Sequence, residues 1–190
     1  MFFYNFAGKP HGYKCPTVYR ASYISFMVKV LFVCLGNICR SPLAAGIFNH
    51  LVAKKGLSYA LTSRSAGTAD YHIGEPADHR TIKIARKHGI EIHHEGCQLT
   101  ESHFQEFDYI VAMDHSNYLN ITRHPGYMES RAVVVMMRNF DTAASDLNVP
   151  DPYFGSMDGF ERVYQMLVKA NEGFIDFLNE KHILNTRPDA

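Results

Sequence analysis

The sequence lacks three features that would mark common classes of protein. Its 19 lysines and arginines are matched by 19 aspartates and glutamates, so no basic excess indicates nucleic-acid binding. No apolar run approaches the roughly 18 residues of a transmembrane helix, and four cysteines in 190 residues do not indicate a disulfide scaffold. With 46% hydrophobic residues, the composition predicts one domain with a sizeable core, and we expect a cytoplasmic protein with no membrane attachment.

The most informative segment is an apolar run that ends in Cys34 and is followed six residues later by Arg40. Residues 30–33 predict a buried strand, and Ser41-Pro42 before an apolar stretch predicts a helix with a serine cap and a proline in its first turn. The loop between them lies at a helix N-terminus, where unpaired backbone N–H groups and the macrodipole favour an anion. The segment therefore predicts a cradle for a tetrahedral oxyanion that contains a nucleophile.

Individual residues of this loop suit phosphoryl transfer. The N–H groups and guanidinium that would bind phosphate also favour the thiolate form of Cys34, the predicted nucleophile. Arg40 offers a planar fork of donors for two phosphate oxygens. Gly36 and Asn37 shape the turn, because glycine has no Cβ and asparagine tolerates a left-handed conformation. Ser41 is expected both to cap the helix and to direct its hydroxyl at the Cys34 sulfur.

A Cys-x5-Arg spacing alone has an ordinary structural explanation, because buried cysteines after strands and surface arginines near helix starts are common. The complete run over residues 33–42 is more specific, and it resembles the phosphate-binding loop of the low-molecular-weight protein tyrosine phosphatases. The resemblance extends over residues 28–178. It implies that Cys34 and Arg40 are catalytic and that the rest of the phosphate-binding loop consists of Leu35, Gly36, Asn37, Ile38, Cys39 and Ser41.

A second segment, Asp151-Pro152-Tyr153, resembles the Asp-Pro-Tyr loop of the same family, in which the aspartate is the general acid. Asp151 would protonate the leaving oxygen and later accept a proton from the attacking water. Tyr153 and Tyr71 correspond by similarity to the aromatic side chains on either side of the substrate ring. Taken alone, an aspartate before proline is also a common turn, and both tyrosines suit half-buried packing positions.

Two more residues correspond by similarity to a network that supports the loop. Ser65, in a Ser-Ala-Gly segment, is expected to orient Asn37, and His94 aligns with a family histidine that joins the same network. A lone histidine is more often structural than catalytic. Where the family often reads Ala-Arg-Gln, this chain has Gly96-Cys97-Gln98, which leaves the charge contact of that arginine open.

The resemblance implies hydrolysis of phosphotyrosine and small aryl phosphates through a phosphocysteine intermediate, without a cofactor or metal. The implied partners are phosphotyrosine-containing proteins, with inorganic phosphate and other oxyanions as inhibitors. Cys39 is a candidate for a reversible disulfide with Cys34, as its counterpart forms in the family, and loop packing is its other explanation. A metal site built from His93, His94 and Cys97 matches no structural zinc spacing.

Three other functions remain open at this point. Arginine phosphatases of the same superfamily tend to have threonine at the position of Ile38, and an apolar residue there, together with Tyr71 and Tyr153, favours an aryl phosphate. Arsenate reductases share the loop but need further thiols in relay, and Cys97 is the only cysteine after Cys39. The third alternative is a non-catalytic module that senses oxyanions.

Strands and helices alternate along the chain, which predicts a three-layer α/β/α sandwich around a four-stranded parallel sheet of flavodoxin-like type. The predicted strands cover residues 28–34, 60–65, 109–113 and 132–136, and the predicted helices cover 42–55, 78–88, 101–107, 116–123 and 158–180. Residues 27–182 form the predicted catalytic domain. We expect a poorly ordered extension over residues 1–26, a flexible tail over 183–190, and a monomer.

Overall fold

All four strands of the central sheet run parallel in the computed structural model, which describes residues 27–182. The strands are β1 (Val28–Cys34), β2 (Leu61–Gly67), β3 (Tyr109–Ala112) and β4 (Val133–Met136). Their order across the sheet is β2-β1-β3-β4. The predicted extension (1–26) and tail (183–190) lie outside the described residues.

Five helices connect and follow the strands. They are α1 (Arg40–Lys54), α2 (His79–Lys87), α3 (Glu101–Glu106), α4 (His115–Thr122) and α5 (Met157–His182). Two short 3-10 helices, Pro125–Tyr127 and Met137–Phe140, were not predicted, because so short a turn leaves no periodic pattern in the sequence. Within residues 27–182, no helix is both long enough and apolar enough to cross a membrane.

Alternate residues of β1 divide the core between the two faces of the sheet. Val30 and Phe32 belong to the cluster that includes buried residues of α1, α2 and α5, whereas Leu31 and Val33 pack with residues of α3 and α4. Helices therefore cover both faces, and the predicted three-layer sandwich is confirmed. One face of α5 is also buried and comprises Phe160, Tyr164, Leu167, Asn171, Phe174 and Leu178.

The order of the strands predicts where a ligand binds. From β1 the chain continues to β2 on one side, while β3 lies on the other side, so the connections diverge at the carboxyl end of β1. In open parallel sheets a crevice forms at such a point, outside the carboxyl ends of the strands. Cys34 is the last residue of β1 and lies at this edge.

One prediction about α1 is wrong. The helix begins at Arg40, and its cap residue is Cys39, whose side chain accepts no bond from the first turn. Ser41 lies inside the helix and does not cap it, because its hydroxyl is engaged with Cys34 Sγ and Asn37 Nδ2. Without a side-chain acceptor from the cap residue, the first backbone N–H groups of α1 face the loop as donors for an anion.

Candidate active site

The phosphate-binding loop joins the end of β1 to the start of α1, with a buried thiol at its base. Cys34 is only 3% exposed, and its Sγ lies 3.0 Å from Ser41 Oγ. Asn37 Nδ2 donates to the same hydroxyl oxygen at 2.9 Å, so the serine proton points to an acceptor: the sulfur at 3.0 Å or the more distant Ala66 carbonyl oxygen at 3.4 Å. The predicted contact between Ser41 and Cys34 is present, and its polarity suits a thiolate.

Asn37 is the structural centre of the loop. It adopts the left-handed conformation that the sequence predicts, with φ of 58°. Its side chain donates to Ser65 Oγ at 3.0 Å and accepts the backbone N–H of Cys97 at 2.9 Å. Its backbone carbonyl lies 2.6 Å from His94 Nε2. Cys97 thus contributes through its backbone, so this bond does not depend on the arginine that relatives often have there.

His94 supports the loop as a neutral imidazole. Burial lowers its pKa, against the opposing effects of the Asn37 carbonyl and the Glu95 charge. The neutral ring keeps one N–H, and the short distance to the Asn37 carbonyl assigns that proton to Nε2. The histidine therefore donates a hydrogen bond to the loop backbone and does not contact the Cys34 cleft.

Arg40 is buried, and three acceptors hold its guanidinium. One terminal nitrogen donates to Asp114 Oδ2 at 2.5 Å and to the Val149 carbonyl at 3.1 Å, while the other donates to Asp151 Oδ2 at 2.8 Å. Burial opposes the positive charge, but the nearby Cys34 and Asp151 groups and the bond to Asp114 outweigh it and raise the pKa of Arg40. The guanidinium is a fixed cation beside the thiol.

Asp114 was not among the residues predicted for the site. This residue follows β3, caps α4 by accepting the backbone N–H of Asn117 at 2.7 Å, and uses its other oxygen for Arg40. One signal was available, because an aspartate directly after a buried strand and before a helix lies at the carboxyl edge of a parallel sheet. The pairing itself joins residues that are far apart in the chain.

The loop of residues 149–155 presents the candidate general acid. Val149 is buried, and its backbone N–H donates to the carbonyl of Met113 at 2.8 Å, which anchors the loop to the sheet edge. Asp151 accepts the backbone N–H of Tyr153 at 3.1 Å, and its side chain is 43% exposed. One carboxylate oxygen therefore faces Arg40 in the cleft while the group remains open to solvent.

Arg80 connects this loop to the rest of the site and was also missed. It pairs with Asp78 and donates to the Gly155 carbonyl at 3.3 Å. Its guanidinium carbon lies 5.6 Å from the ring centre of Tyr153 and 4.6 Å from that of Phe160. The hydrogen bond to Asp78, together with the charge of that carboxylate, raises the pKa of Arg80, and the same bond lowers the pKa of Asp78.

The segment that contains Tyr71 is fixed by close backbone contacts. Gly96 donates to the Glu75 carbonyl and accepts from the Gly74 N–H, both at 2.8 Å. A Cβ at Gly96 would lie 2.1 Å from the His72 carbonyl oxygen, so the glycine allows this approach. The glycine of the segment Gly96-Cys97-Gln98 thus has a structural reason.

The cleft above Cys34 has a volume of about 210 Å³. It brings together the predicted thiol, arginine, acid and both predicted aromatic side chains. Its lining residues are Cys34, Leu35, Gly36, Ile38, Cys39, Arg40, Tyr71, His72, Asp151, Tyr153 and Phe154. Tyr71 is 70% exposed and Tyr153 39% exposed, so both stand at the mouth of the cleft and neither is a packed core residue.

A larger groove of about 680 Å³ lies behind the loop, but none of the three catalytic candidates lines it. The alternative metal ligands His93, His94 and Cys97 border this groove. Within residues 27–182, no group of three or more histidines, cysteines or acids is placed to hold a metal ion. Two of these three side chains are engaged elsewhere, because the His94 ring donates to the Asn37 carbonyl and Cys97 Sγ donates to the Ser65 carbonyl.

Cys39 is a buried free thiol, as is Cys34. Burial, reinforced by the negative charge of Asp78, raises the pKa of Cys39 to about 12. At neutral pH this thiol is protonated and therefore a poor nucleophile. Its packing in the loop is consistent with the structural explanation, and the disulfide with Cys34 stays a prediction.

A thiol and a buried guanidinium share one loop at the carboxyl edge of this parallel sheet, and a carboxylate faces them. Together they define the class of cysteine-dependent phosphatases with a Cys-x5-Arg loop. The sequence model of the low molecular weight phosphotyrosine protein phosphatases matches residues 29–184. The chain belongs to this family.

Individual relatives agree with this assignment. A low molecular weight phosphotyrosine protein phosphatase of Schizosaccharomyces pombe is 42% identical over 149 residues, which are 78% of this chain and 95% of the relative. A protein tyrosine phosphatase of Entamoeba histolytica, solved with Hepes in its active site, is 37% identical with a TM-score of 0.76; the match covers 82% of this chain and 99% of that one. An arginine phosphatase of Drosophila is 30% identical with a TM-score of 0.73, over 85% and 100% of the two chains.

Proposed function

We propose that this protein hydrolyses phosphotyrosine in proteins, and small aryl phosphates, through a phosphocysteine intermediate on Cys34. The observation that carries the proposal is that Cys34, Arg40 and Asp151 line one cleft of about 210 Å³. Membership of the phosphotyrosine phosphatase family supports it. We further propose a monomeric, cytoplasmic enzyme that needs no cofactor and is inhibited by inorganic phosphate and other oxyanions.

In the first step the Cys34 thiolate attacks phosphorus in line with the leaving oxygen. The hydroxyl of Ser41, 3.0 Å away, donates to the sulfur, and the same bond stabilises the thiolate when it leaves in the second step. Asn37 holds the serine oxygen from the other side, so the hydroxyl keeps its direction. Among the side chains that line the cleft, Cys34 is thus the one whose sulfur contacts a hydroxyl held in place by a second side chain.

Arg40 and the loop N–H groups bind the equatorial oxygens of the phosphoryl group. Asp114 and the Val149 carbonyl hold one side of the guanidinium, so its orientation is set before substrate binds. The other side donates to Asp151, and an incoming phosphate dianion competes for these N–H groups. Substrate binding thus frees the aspartate from its ion pair.

Once released, the solvent-exposed Asp151 carboxylate takes up a proton from solvent and transfers it to the leaving phenolic oxygen. It then accepts a proton from the water that hydrolyses the phosphocysteine. Its position on an exposed loop, with one oxygen fixed by the Tyr153 N–H, supports a group that reaches both the leaving oxygen and solvent. Asp151→Asn should therefore slow turnover of substrates with poor leaving groups most.

Phosphoarginine is the second candidate substrate, because an arginine phosphatase is among the related structures. The lining of the cleft favours an aryl phosphate instead. Ile38 is apolar and 8% exposed, and the rings of Tyr71 and Tyr153 stand at the mouth, so the site offers apolar and aromatic contacts to a ring. A phosphoguanidinium would need polar partners there.

The experiment measures turnover of phosphotyrosine and phosphoarginine peptides in the presence of a chelator. It compares the wild type, Cys34→Ser and Cys97→Ser, which removes a thiol while keeping its backbone donor and a side-chain hydroxyl. We expect phosphotyrosine hydrolysis that is lost in Cys34→Ser and kept in Cys97→Ser. Rapid quenching followed by mass spectrometry should find phosphate on the Cys34 peptide.

Two results would contradict this proposal. Preferential hydrolysis of phosphoarginine would show that Ile38 does not exclude that substrate. The protein would then be assigned as an arginine phosphatase. Absence of turnover on both peptides, with phosphate binding retained, would favour a module that senses oxyanions.

A further inference from the structure

The exposed apolar side chains of this protein concentrate at one place. Nine large hydrophobic side chains are exposed within residues 27–182. Four of them line the Cys34 cleft, and a fifth, Ile73, follows two residues after Tyr71 in the chain. We define the apolar rim as Leu35, Tyr71, Ile73, Tyr153 and Phe154. The gathering of four of these nine side chains at one cleft indicates a contact surface for another molecule.

Phe154 is the most exposed member of the apolar rim. Its side chain is 97% exposed, and its ring meets that of Tyr153 edge to face at 5.0 Å. Because Phe154 is 97% exposed and Ile73 is 58% exposed, both offer accessible apolar surface to a substrate whose phosphotyrosyl ring enters the cleft. The residues next to the phosphotyrosine in a substrate chain are the groups placed to cover them.

The charges at the mouth exclude one common type of flanking sequence. The segments 34–41, 70–80 and 151–155 contain two arginines and four carboxylates: Arg40, Arg80, Asp70, Glu75, Asp78 and Asp151. Both arginines already pair with carboxylates of the protein, and so do the two histidines of these segments, His72 and His79. Within these three segments, acidic residues beside the phosphotyrosine would therefore meet an excess of carboxylates and no unpaired cation.

We propose that the apolar rim binds the polypeptide on either side of the phosphotyrosine and selects sites flanked by large apolar residues over sites flanked by acidic ones. The proposal rests on phosphotyrosine hydrolysis at Cys34 and extends it to the sequence of the substrate. The occupant is the substrate chain because the apolar rim is continuous with the cleft that the phosphotyrosyl ring enters.

The test uses two phosphotyrosine peptides of equal length, one with leucine and phenylalanine beside the phosphotyrosine and one with glutamate there. Para-nitrophenyl phosphate, which has no flanking residues, serves as the reference substrate. Wild type, Phe154→Ser, Ile73→Ser and Met128→Ser are compared at low salt. Met128 is the matched control, because it is 87% exposed but does not line the cleft.

We expect the wild type to prefer the apolar peptide about tenfold in kcat/KM, an effect typical of covering one aromatic side chain. The ratio of kcat/KM for the apolar peptide to that for para-nitrophenyl phosphate should fall about fivefold in Phe154→Ser and in Ile73→Ser. The ratio should not change in Met128→Ser. Added salt should raise kcat/KM for the acidic peptide, because it screens the repulsion.

Each other outcome overturns the proposal in a distinguishable way. Hydrolysis of para-nitrophenyl phosphate with equal rates on both peptides would leave the proposed function intact and remove the flanking preference. No hydrolysis of any substrate would remove both. Unchanged ratios in Phe154→Ser and Ile73→Ser, together with a change in oligomeric state by light scattering, would assign the apolar rim to contacts between copies of this chain.

Discussion

Arg80 offers a direct test of how the acid loop is held, because its guanidinium contacts that loop in two ways. It donates to the Gly155 carbonyl at 3.3 Å and lies 5.6 Å from the ring centre of Tyr153. Arg80 lies in the first turn of α2 and pairs with the cap residue Asp78, whose backbone N–H donates to the Ile38 carbonyl of the phosphate-binding loop. Arg80 thus links the loop of the acid to that of the nucleophile.

The contacts set the expected size of the effect of Arg80→Ala. A cation over an aromatic ring at a partly exposed site contributes about 0.5–1 kcal/mol, and the long hydrogen bond to Gly155 contributes about 0.5 kcal/mol. Together these contacts stabilise the position of the acid loop by about 1–1.5 kcal/mol. Their loss corresponds to roughly a tenfold lower rate in any step that needs the acid in place. Arg80→Lys keeps the charge but not the planar contact, so we expect an intermediate loss.

The assay is the dependence of kcat/KM on the leaving group, because kcat/KM reports the step in which that group departs. Hydrolysis of the phosphocysteine, which also uses Asp151, contributes to kcat in the same way for every substrate. Phenyl phosphate needs a proton from Asp151 as the bond breaks, whereas dinitrophenyl phosphate has a stable leaving anion and does not. Arg80→Ala should slow phenyl phosphate about tenfold and dinitrophenyl phosphate little. Arg86→Ala, on the same helix but paired only with Glu91 at the surface, is the control and should change neither.

An equal fall for both substrates would refute this reasoning. It would mean that Arg80 acts on the phosphate-binding loop through Asp78 and Ile38, and not on the acid. Unchanged rates for both would mean that the loop keeps its position without these contacts.

Three further predictions test other parts of the site. Asp114→Asn removes the charge that holds the buried Arg40 guanidinium, and it should lower kcat/KM for para-nitrophenyl phosphate about tenfold or more. An unchanged kcat/KM would show that Asp114 does not position Arg40. Gly96→Ala places a Cβ 2.1 Å from the His72 carbonyl oxygen and should lower Tm by roughly 4–8 °C, for about 2 kcal/mol, whereas Gly159→Ala has room and should not lower it. The Cys39 thiol, with its pKa raised to about 12, should close a disulfide with the peroxide-oxidised nucleophile slowly at neutral pH. Because its thiolate fraction rises about tenfold per pH unit below that pKa, mass spectrometry should find faster closure at pH 9 than at pH 7, and a pH-independent rate would refute the assignment.

Much of the site was predictable because its central part is local. The strand, the loop and the helix that hold Cys34 and Arg40 are consecutive in the chain, so their geometry follows from an apolar run, a left-handed asparagine and a proline near the helix start. The error within this segment concerned Ser41. A serine at a helix start usually caps it, but here the buried sulfur and the Asn37 amide compete for the hydroxyl.

The sequence by itself determined the alternation of strands and helices and the loop that contains the thiol, because these are short-range properties set by hydrophobic periodicity and turn chemistry. The segment that contains the candidate acid was predicted from its resemblance to the family. Only the tertiary structure decided that Asp114 holds Arg40, that Arg80 contacts the acid loop, and that Phe154 stands exposed at the mouth of the cleft. The physical reason is that a parallel sheet gathers the carboxyl ends of strands far apart in sequence, and no local pattern records which side chains then meet.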